Sequence, residues 1–573
     1  MVSIGNDYYN LGDHSRRVST SSERAQIWFD RGLIWSYAFN FEEGVRCFER
    51  AAYHDPSCAM AYWGIAYAMG PNYNKSWRLF DPDDFSRTTR VANEALKTAN
   101  RLGDRATAVE QALIEALPVR FSTGKFLPPP ERQDLNVAYA EAMRRAYQAH
   151  PDDLDVAGLF ADALLCVSPR QLWDLSTGAP VGYGTVEARN LLERALNQTG
   201  GAAHPALNHL YIHLMEMSPF PELALPAADR VRRLAPDAGH MAHMTSHIDN
   251  AVGNYRSCID SNLDAASAND RYLDRVEGAQ FYHIYRVHDL YVLIFGAMML
   301  GRFQVARDAA ARLVKALPDH LLSVSSPPMA DWAESHYSAF AHVLIRFGRW
   351  EEIIALELPE DRELFCVTVA MILYAKGVAF SALGRLEEAE QARAAFADAV
   401  AVVPETRMSL PNREIDVLKV AAAMLDGEFE YRKGNFDLAY SKLREAIELE
   451  DALKYADPRS WLQPVRHAYG ALLLEQGHIE EAEAVYRSDL GLDGKLPRPR
   501  IHPNNVWSLH GLHECLVRLG RQKEAELIKL QRDIAVASAD VQIGASCFCR
   551  MSRHDSAEQD RESMPSEKPN CCA

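Results

Sequence analysis

A glycine followed five residues later by alanine recurs along the C-terminal part of the chain, at Gly384 and Ala389, Gly434 and Ala439, Gly477 and Ala482, and Gly520 and Ala525. Gly377, Gly427 and Gly470 stand seven residues before the first three of these turn glycines. A glycine reverses the chain at little steric cost, and small residues let two helices approach closely. Such a sequence builds helix pairs that bury their apolar faces only against the next pair. Ala25 to Asp55 holds the fullest copy: Trp28, Gly32 and Trp35 on a first helix, Phe48 and Ala51 on a second, and Pro56 to stop it. Gly301 with Ala306 and Pro318 fits the same grammar, and Gly348 matches it more weakly.

A unit of about 34 residues is the length of a tetratricopeptide (TPR) helix pair. The predicted fold is all-α, a right-handed α-solenoid of TPR-like pairs that needs no β-sheet. The expected organisation is an N-terminal extension at 1–24, a solenoid at 25–535 and a disordered tail at 536–573. Breaks are expected at Pro128 to Pro130, Ser168 to Gly184, Ser325 to Pro328 and Leu490 to Asn505. Of the 573 residues 48% are hydrophobic, which excludes disorder of the whole chain. The 61 basic and 78 acidic residues leave a net charge of -17, which argues against tracking a phosphate backbone. No apolar run of about 18 residues suggests a membrane span. Met1 to Asn10 lacks the pattern of a secretory signal, and the ten cysteines are scattered, so a cytoplasmic protein with reduced thiols is expected. Cys547, Cys549, Cys571 and Cys572 crowd the C-terminal end, whose last four residues do not fit a prenylation pattern.

A solenoid of this kind is by default a scaffold that binds proteins along its surface. The histidines argue for more. His209 and His213 are four apart, as are His243 and His247, the spacing that puts two imidazoles on one helix face. The two pairs are offset by 34 residues, one repeat, so they occupy equivalent places on neighbouring helices. Framed from Pro236 and Gly253, both pairs face the concave groove, with Glu216 continuing the first stripe and His240 beside the second. His288 follows at the equivalent place in the next copy, with Tyr291 after it. Imidazoles from adjacent helices, whose axes lie about 8–10 Å apart, can converge on one ion. The competing reading is a hydrogen-bonded polar cluster, but burying so many imidazoles without charge partners is costly.

Nitrogen ligands, with or without one carboxylate, suit zinc, copper, iron or nickel rather than calcium or magnesium. Three or four would leave zinc an open position, whereas six could hold a pair of copper ions. Five histidines are well framed, with His240 an uncertain sixth, which favours one ion near residues 204–300. Trp173 and Tyr183, on the loop before the histidine repeats, are candidate lids for an aromatic substrate and join His240 as substrate-contact candidates. His467 and His510 stand alone at similar positions and read as core or groove polarity. His513-Glu514 begins a zincin-like word that Val517 fails to close. A phosphate-binding loop and a Gly-x-Ser-x-Gly elbow are absent from the sequence.

Four words, CAMAYWGIAYAMGPNYN (Cys58 to Asn74), AAHPALNHLYIHLMEMSP (Ala202 to Pro219), AGHMAHMTSHI (Ala238 to Ile248) and NNVWSLHGL (Asn504 to Leu512), resemble a family of TPR-containing proteins found in bacteria and fungi. The resemblance spans about Ala25 to Ala535, and the histidine words are its most specific part. Within that family the chain looks most like the fungal hemocyanin-like cyclopenases. This resemblance implies a zinc-dependent enzyme of alkaloid biosynthesis that contracts a cyclopenin-type benzodiazepinedione epoxide to a viridicatin-type quinolone, releasing methyl isocyanate. It also implies that His209, His213, His243, His247 and His288 match family histidines and that Glu216 matches a family glutamate. Phe41 and Tyr291 stand where bacterial relatives commonly carry histidine. The combined expectation is that three or four of the five histidines hold zinc while Glu216 or Tyr291 moves a proton. A dicopper oxidase or oxygen-binding protein and a non-catalytic scaffold are the alternatives.

Overall fold

The computed structural model describes residues 8–122, 126–277 and 281–550. It is a solenoid of TPR-like helix pairs, as the repeat predicts. Pairs include Glu23–Tyr37 with Phe41–His54, Gly239–Val252 with Tyr255–Leu273, Tyr282–Met299 with Phe303–Ala316, and Glu414–Arg432 with Phe436–Ala452. The turn glycines do the work the sequence assigns to them: Gly253, Gly301, Gly348, Gly384, Gly434, Gly477 and Gly520 all have φ between 63° and 84°. An L side chain is strained in that region. The small residues inside the helices serve close approach instead. The Phe48 ring fills the gap between Gly32 and Gly64, where an added Cβ would lie 2.8 Å and 2.4 Å from it.

The one departure from helix in regular structure is small. Among the described residues, strands are confined to a two-residue ladder, Met408–Ser409 against Asn412–Arg413, with an isolated bridge from Trp173 to Pro180. No described helix is long and apolar enough to cross a membrane.

The solenoid closes on itself more than a straight stack of repeats would. The segment before the first helix buries Leu11, and Asn10 reaches Asp237 while Arg16 pairs with Asp153 and Asp155. On the other side, the loop around Tyr455 to Ser460 meets Glu216, His247 and Tyr291. Repeats far apart in the chain are thereby pressed against the histidine helices.

The expected start of the tail at 536 needs correction. The last helix, Gln522–Ser538, is followed by a packed segment that buries Ile543, Ala545, Phe548 and Cys549. Arg346 and Arg432 donate to its carbonyls at Ser546 and Cys549, and Arg550 forms a bidentate pair with Glu514 at 2.7 Å. Apolar residues at alternating places and three arginine contacts hold this stretch against the last repeats. Cys547 and Cys549 are bridged, which departs from the expectation of reduced thiols throughout, while six other cysteines are free and buried. Cys571 and Cys572 lie outside the described residues.

Candidate metal centre

Three helices present the histidines. Pro205–Met215 carries His209 and His213, Gly239–Val252 carries His240, His243 and His247, and Tyr282–Met299 carries His288. Each helix is buried nearly all round at this level, because its neighbours and the first repeat surround it. The residues sort into two triads that cut across the helices. His209, His213 and His240 can offer ligand atoms within 4.8 Å of one another, and so can His243, His247 and His288. The triads adjoin: ring centroids are 5.6 Å apart between His213 and His247, and 5.7 Å between His240 and His243.

The hydrogen bonds fix which nitrogen of each ring is free. His209 Nδ1 lies 2.6 Å from the Tyr37 carbonyl, which can only accept, so Nδ1 carries the proton. His213 Nδ1 donates to Glu216 at 3.0 Å. His247 Nδ1 faces Glu216 on its other oxygen and Asp457 at 3.0 Å. His243 Nδ1 lies 2.8 Å from Asn262 Oδ1 and 3.3 Å from Asp289. The Nδ1 atoms of His209, His213, His243 and His247 are thus engaged from behind, which turns their Nε2 atoms inward.

Those inward nitrogens lack partners within the protein. Nε2 of His209, Nε2 of His213 and both ring nitrogens of His240 have no hydrogen bond. Leaving such a buried polar atom unsatisfied costs about 1–3 kcal/mol. The Nε2 atoms of His243 and His247 face each other at 2.9 Å, where two lone pairs repel unless a proton or a cation lies between them. The donor set therefore fits a metal ion of the nitrogen-preferring kind, with ligands drawn from either triad.

The electrostatics keep five of the six rings neutral and so free to ligate, and favour a cation at His247. Burial, followed by neighbouring imidazoles, holds His209, His240, His243 and His288 well below the ordinary histidine range. Burial lowers His213 to about 4 despite Glu216 beside it. For His247 burial again opposes charge, but Glu216 and Asp457 outweigh it and raise the ring to about 10. Burial would raise Glu216, yet His247 and His213 hold it well below the usual carboxylate range. It is an ionised acceptor fixed between two rings, where it orients His213 and His247 and is in the form that accepts a proton.

The remaining candidates separate. Tyr291 is buried beside His288 in a cavity also lined by Arg170, Phe281, Tyr285, Trp332 and His336, and its hydroxyl donates to the Ser460 carbonyl at 3.3 Å. His240 is not at the substrate edge but completes the first triad. Trp173 is buried with its indole N–H on the Leu214 carbonyl at 2.7 Å, and Tyr183 is tied to Glu141. Neither lines the cavity: Trp173 is turned to Pro205–Met215 and Tyr183 to Pro129–Ala149, while Arg170 of the same loop does line it. His467 belongs to a separate cluster, where Asp489 accepts from it at 3.0 Å, from His502 at 2.8 Å and from Asn505 and Ser508.

Sequence reasoning missed Phe39. Its ring stacks on His213 and His240, with centroids 5.7 Å and 5.5 Å away, and its φ is 57°. A phenylalanine in the left-handed region is strained. The strain places an apolar lid over the first triad, and no residue pattern foretells that.

The fold and site together define an all-α, TPR-like solenoid closed around a buried polyhistidine centre. No family model matches the chain, and no curated protein matches it. Among solved structures, the chain is similar to one described as "Structure of Naa15/Naa10 bound to HypK-THB", at 13% identity and a TM-score of 0.21, over 90% of this chain and 71% of the other.

Proposed function

We propose that this protein is a cytoplasmic, zinc-dependent enzyme that contracts the seven-membered ring of a cyclopenin-type epoxide to a 3-hydroxy-4-arylquinolin-2-one, releasing methyl isocyanate. The observation that carries the metal reading is the set of buried imidazole nitrogens without protein partners on His209, His213 and His240, the first two on rings fixed from behind. The reaction class rests on the family resemblance of the histidine words. Rearrangement followed by loss of an N-methyl amide unit as isocyanate needs no oxidant, so a metal without redox chemistry suffices.

Zinc at the triads would supply Lewis acidity toward an epoxide or carbonyl oxygen. The protein's own groups do the rest. Tyr37, Glu216, Asp457 and Asn262 hold the rings in one tautomer, and Phe39 excludes water from above. Burial raises the Tyr291 hydroxyl well above its ordinary value, so at neutral pH it stays protonated and can only give a proton to a developing oxyanion. Burial lowers His336 to about 4, so it is neutral and can accept one. The enclosed space beside His288 is about 70 Å³. A cavity that encloses benzene is roughly twice that. An aryl substrate therefore requires the wall formed by Ser409–Leu410 and Ala456–Pro458 to move outward.

A second reading is favoured by the division into two triads: two ions, one per triad, as in a copper pair that handles dioxygen. The deciding experiment is elemental analysis of dialysed protein beside the His209→Ala/His243→Ala variant, with circular dichroism to confirm folding, followed by turnover of a cyclopenin-type substrate. About one zinc per chain, lost in the variant together with turnover, is expected. Two coppers with a d-d or peroxo absorption would replace the zinc reading. A folded protein holding no metal would leave a scaffold that binds partners through its surface.

A further inference from the structure

The cavity beside His288 is lined by a cation, Arg170, that is not paired with the one carboxylate on its wall, Asp457, which meets His247 instead. The Arg170 guanidinium lines it and donates only to a neutral acceptor, Asn74 Oδ1, at 3.2 Å; among the described residues it forms no ion pair. It lies close enough that its charge acts on both His213 and His288. Its backbone is left-handed, with φ 60°, one of three such non-glycine positions among the described residues. An L-residue adopts that conformation only where its surroundings impose it. Here the backbone N–H is anchored on the Tyr73 hydroxyl at 3.1 Å, and the Tyr73 ring in turn lies 4.5 Å from His213. The opposite wall is aromatic: Phe281 packs edge-on against both Tyr285 and Trp332, with centroids 5.7 Å away in each case.

We propose that Arg170 binds and orients the substrate, donating from its guanidinium to the carbonyl oxygen of a planar aryl lactam whose ring lies against Phe281, Tyr285 and Trp332. A planar fork of donors matches an oxygen acceptor, and aromatic walls match an aryl face. With one donor already on Asn74, the remaining N–H groups are directed at whatever occupies the cavity. The lactam oxygen is thereby held at a fixed distance from the triads, which sets which bond of the ring meets them. This inference rests on the function proposed above and names how its substrate is read.

The probes are quinolin-2-one and quinoline, which differ by the oxygen in question. Each is titrated calorimetrically into the full-length protein and its Arg170→Lys and Arg170→Met variants, with metal content and thermal midpoint measured for all three. The wild type is expected to prefer quinolin-2-one, and R170M to lose at least tenfold of that affinity, the scale of one charged hydrogen bond, with R170K between. Quinoline binding and metal content are expected to stay unchanged, which a merely structural role for Arg170 would not allow. Equal quinolin-2-one affinity in R170M and the wild type overturns the proposal, and so does a wild type that fails to distinguish the probes. If R170M does not fold, the R170K result decides by the same comparison. A metal-free wild type that still loses lactam affinity on substitution would sink the metalloenzyme reading and leave the Arg170 site standing.

Discussion

Two buried histidine clusters sit in one chain, and they are solved differently. Around Asp489 one carboxylate accepts from His467, His502, Asn505 and Ser508, and His467 also meets Arg346 at 3.1 Å. At the triads the acceptors stand behind the rings and the front nitrogens are bare. Convergence decides the outcome: beside Asp489 only His502 keeps a bare Nε2, whereas at the triads the bare nitrogens of His209, His213 and His240 come together. A histidine cluster is therefore informative about metals only when the direction of its hydrogen bonds is known.

The comparison can be broken in graded ways. The largest effect is expected from His209→Ala/His243→Ala, which should drop bound metal below about a tenth per chain and turnover by roughly a thousandfold or more with the fold retained; removing ligands costs more than the 10–100-fold of outer contacts. Elemental analysis and a product assay read both. Asp489→Asn should cost about 1.5–3 kcal/mol in urea unfolding, because two buried neutral rings lose a charged acceptor, while metal content stays unchanged. A loss of metal there would erase the distinction between the clusters. Glu216→Gln should keep the fold yet weaken metal affinity by about 10–100-fold in chelator competition, since His213 and His247 lose their anchor. Trp173→Phe should cost about 1 kcal/mol through the unpaired Leu214 carbonyl and leave metal and turnover as they were.

Acid should act on the lowered histidines of both clusters in the same direction, whereas His247, where Glu216 and Asp457 outweigh burial, contributes stability that is lost as pH rises toward 10. His213, His336 and His502 are lowered to about 4 by burial, and His342 to about 3. The unfolded chain takes up these protons first, at about pH 6.5, so the stability from keeping the rings neutral is lost as pH falls from there toward 4. Glu216 and Asp489, held low by their histidine partners after burial is overcome, add loss in the same direction at lower pH. Glu414, raised by burial to about 8, and Glu450, raised by burial to about 7, work oppositely; their contribution is full below pH 4.5 and fades as pH rises through those values. Unfolding free energy followed from pH 4 to 9 should therefore peak in the weakly acidic to neutral range and fall more steeply on the acid side.

Much of this was legible in the sequence because repeats write local rules many times. The turn glycines, the Phe48 packing and the 34-residue offset between His209 and His243 all follow from spacing alone. His240 was placed beside the site rather than in it because a helical frame gives the face a residue occupies but not the ring it meets on the next helix. Tyr37, Phe39 and Asp457 were not foreseen, since each reaches the centre by closure of the solenoid across more than a hundred residues of chain. The loop before the histidine repeats does reach the cavity, but through Arg170 rather than Trp173 or Tyr183, because loop position does not tell which side chain turns inward.

The Tyr37 carbonyl behind His209 and the Asp457 carboxylate behind His247 also set an order of events in the cell. During synthesis the early repeats can stack as they leave the ribosome, one upon the last. The pocket around the imidazoles, however, has no back wall on one side until residue 457 has been translated, long after the histidines themselves. Under the proposed function, metal capture would belong to the end of biogenesis rather than its beginning, and truncated products would carry every ligand yet hold the ion poorly.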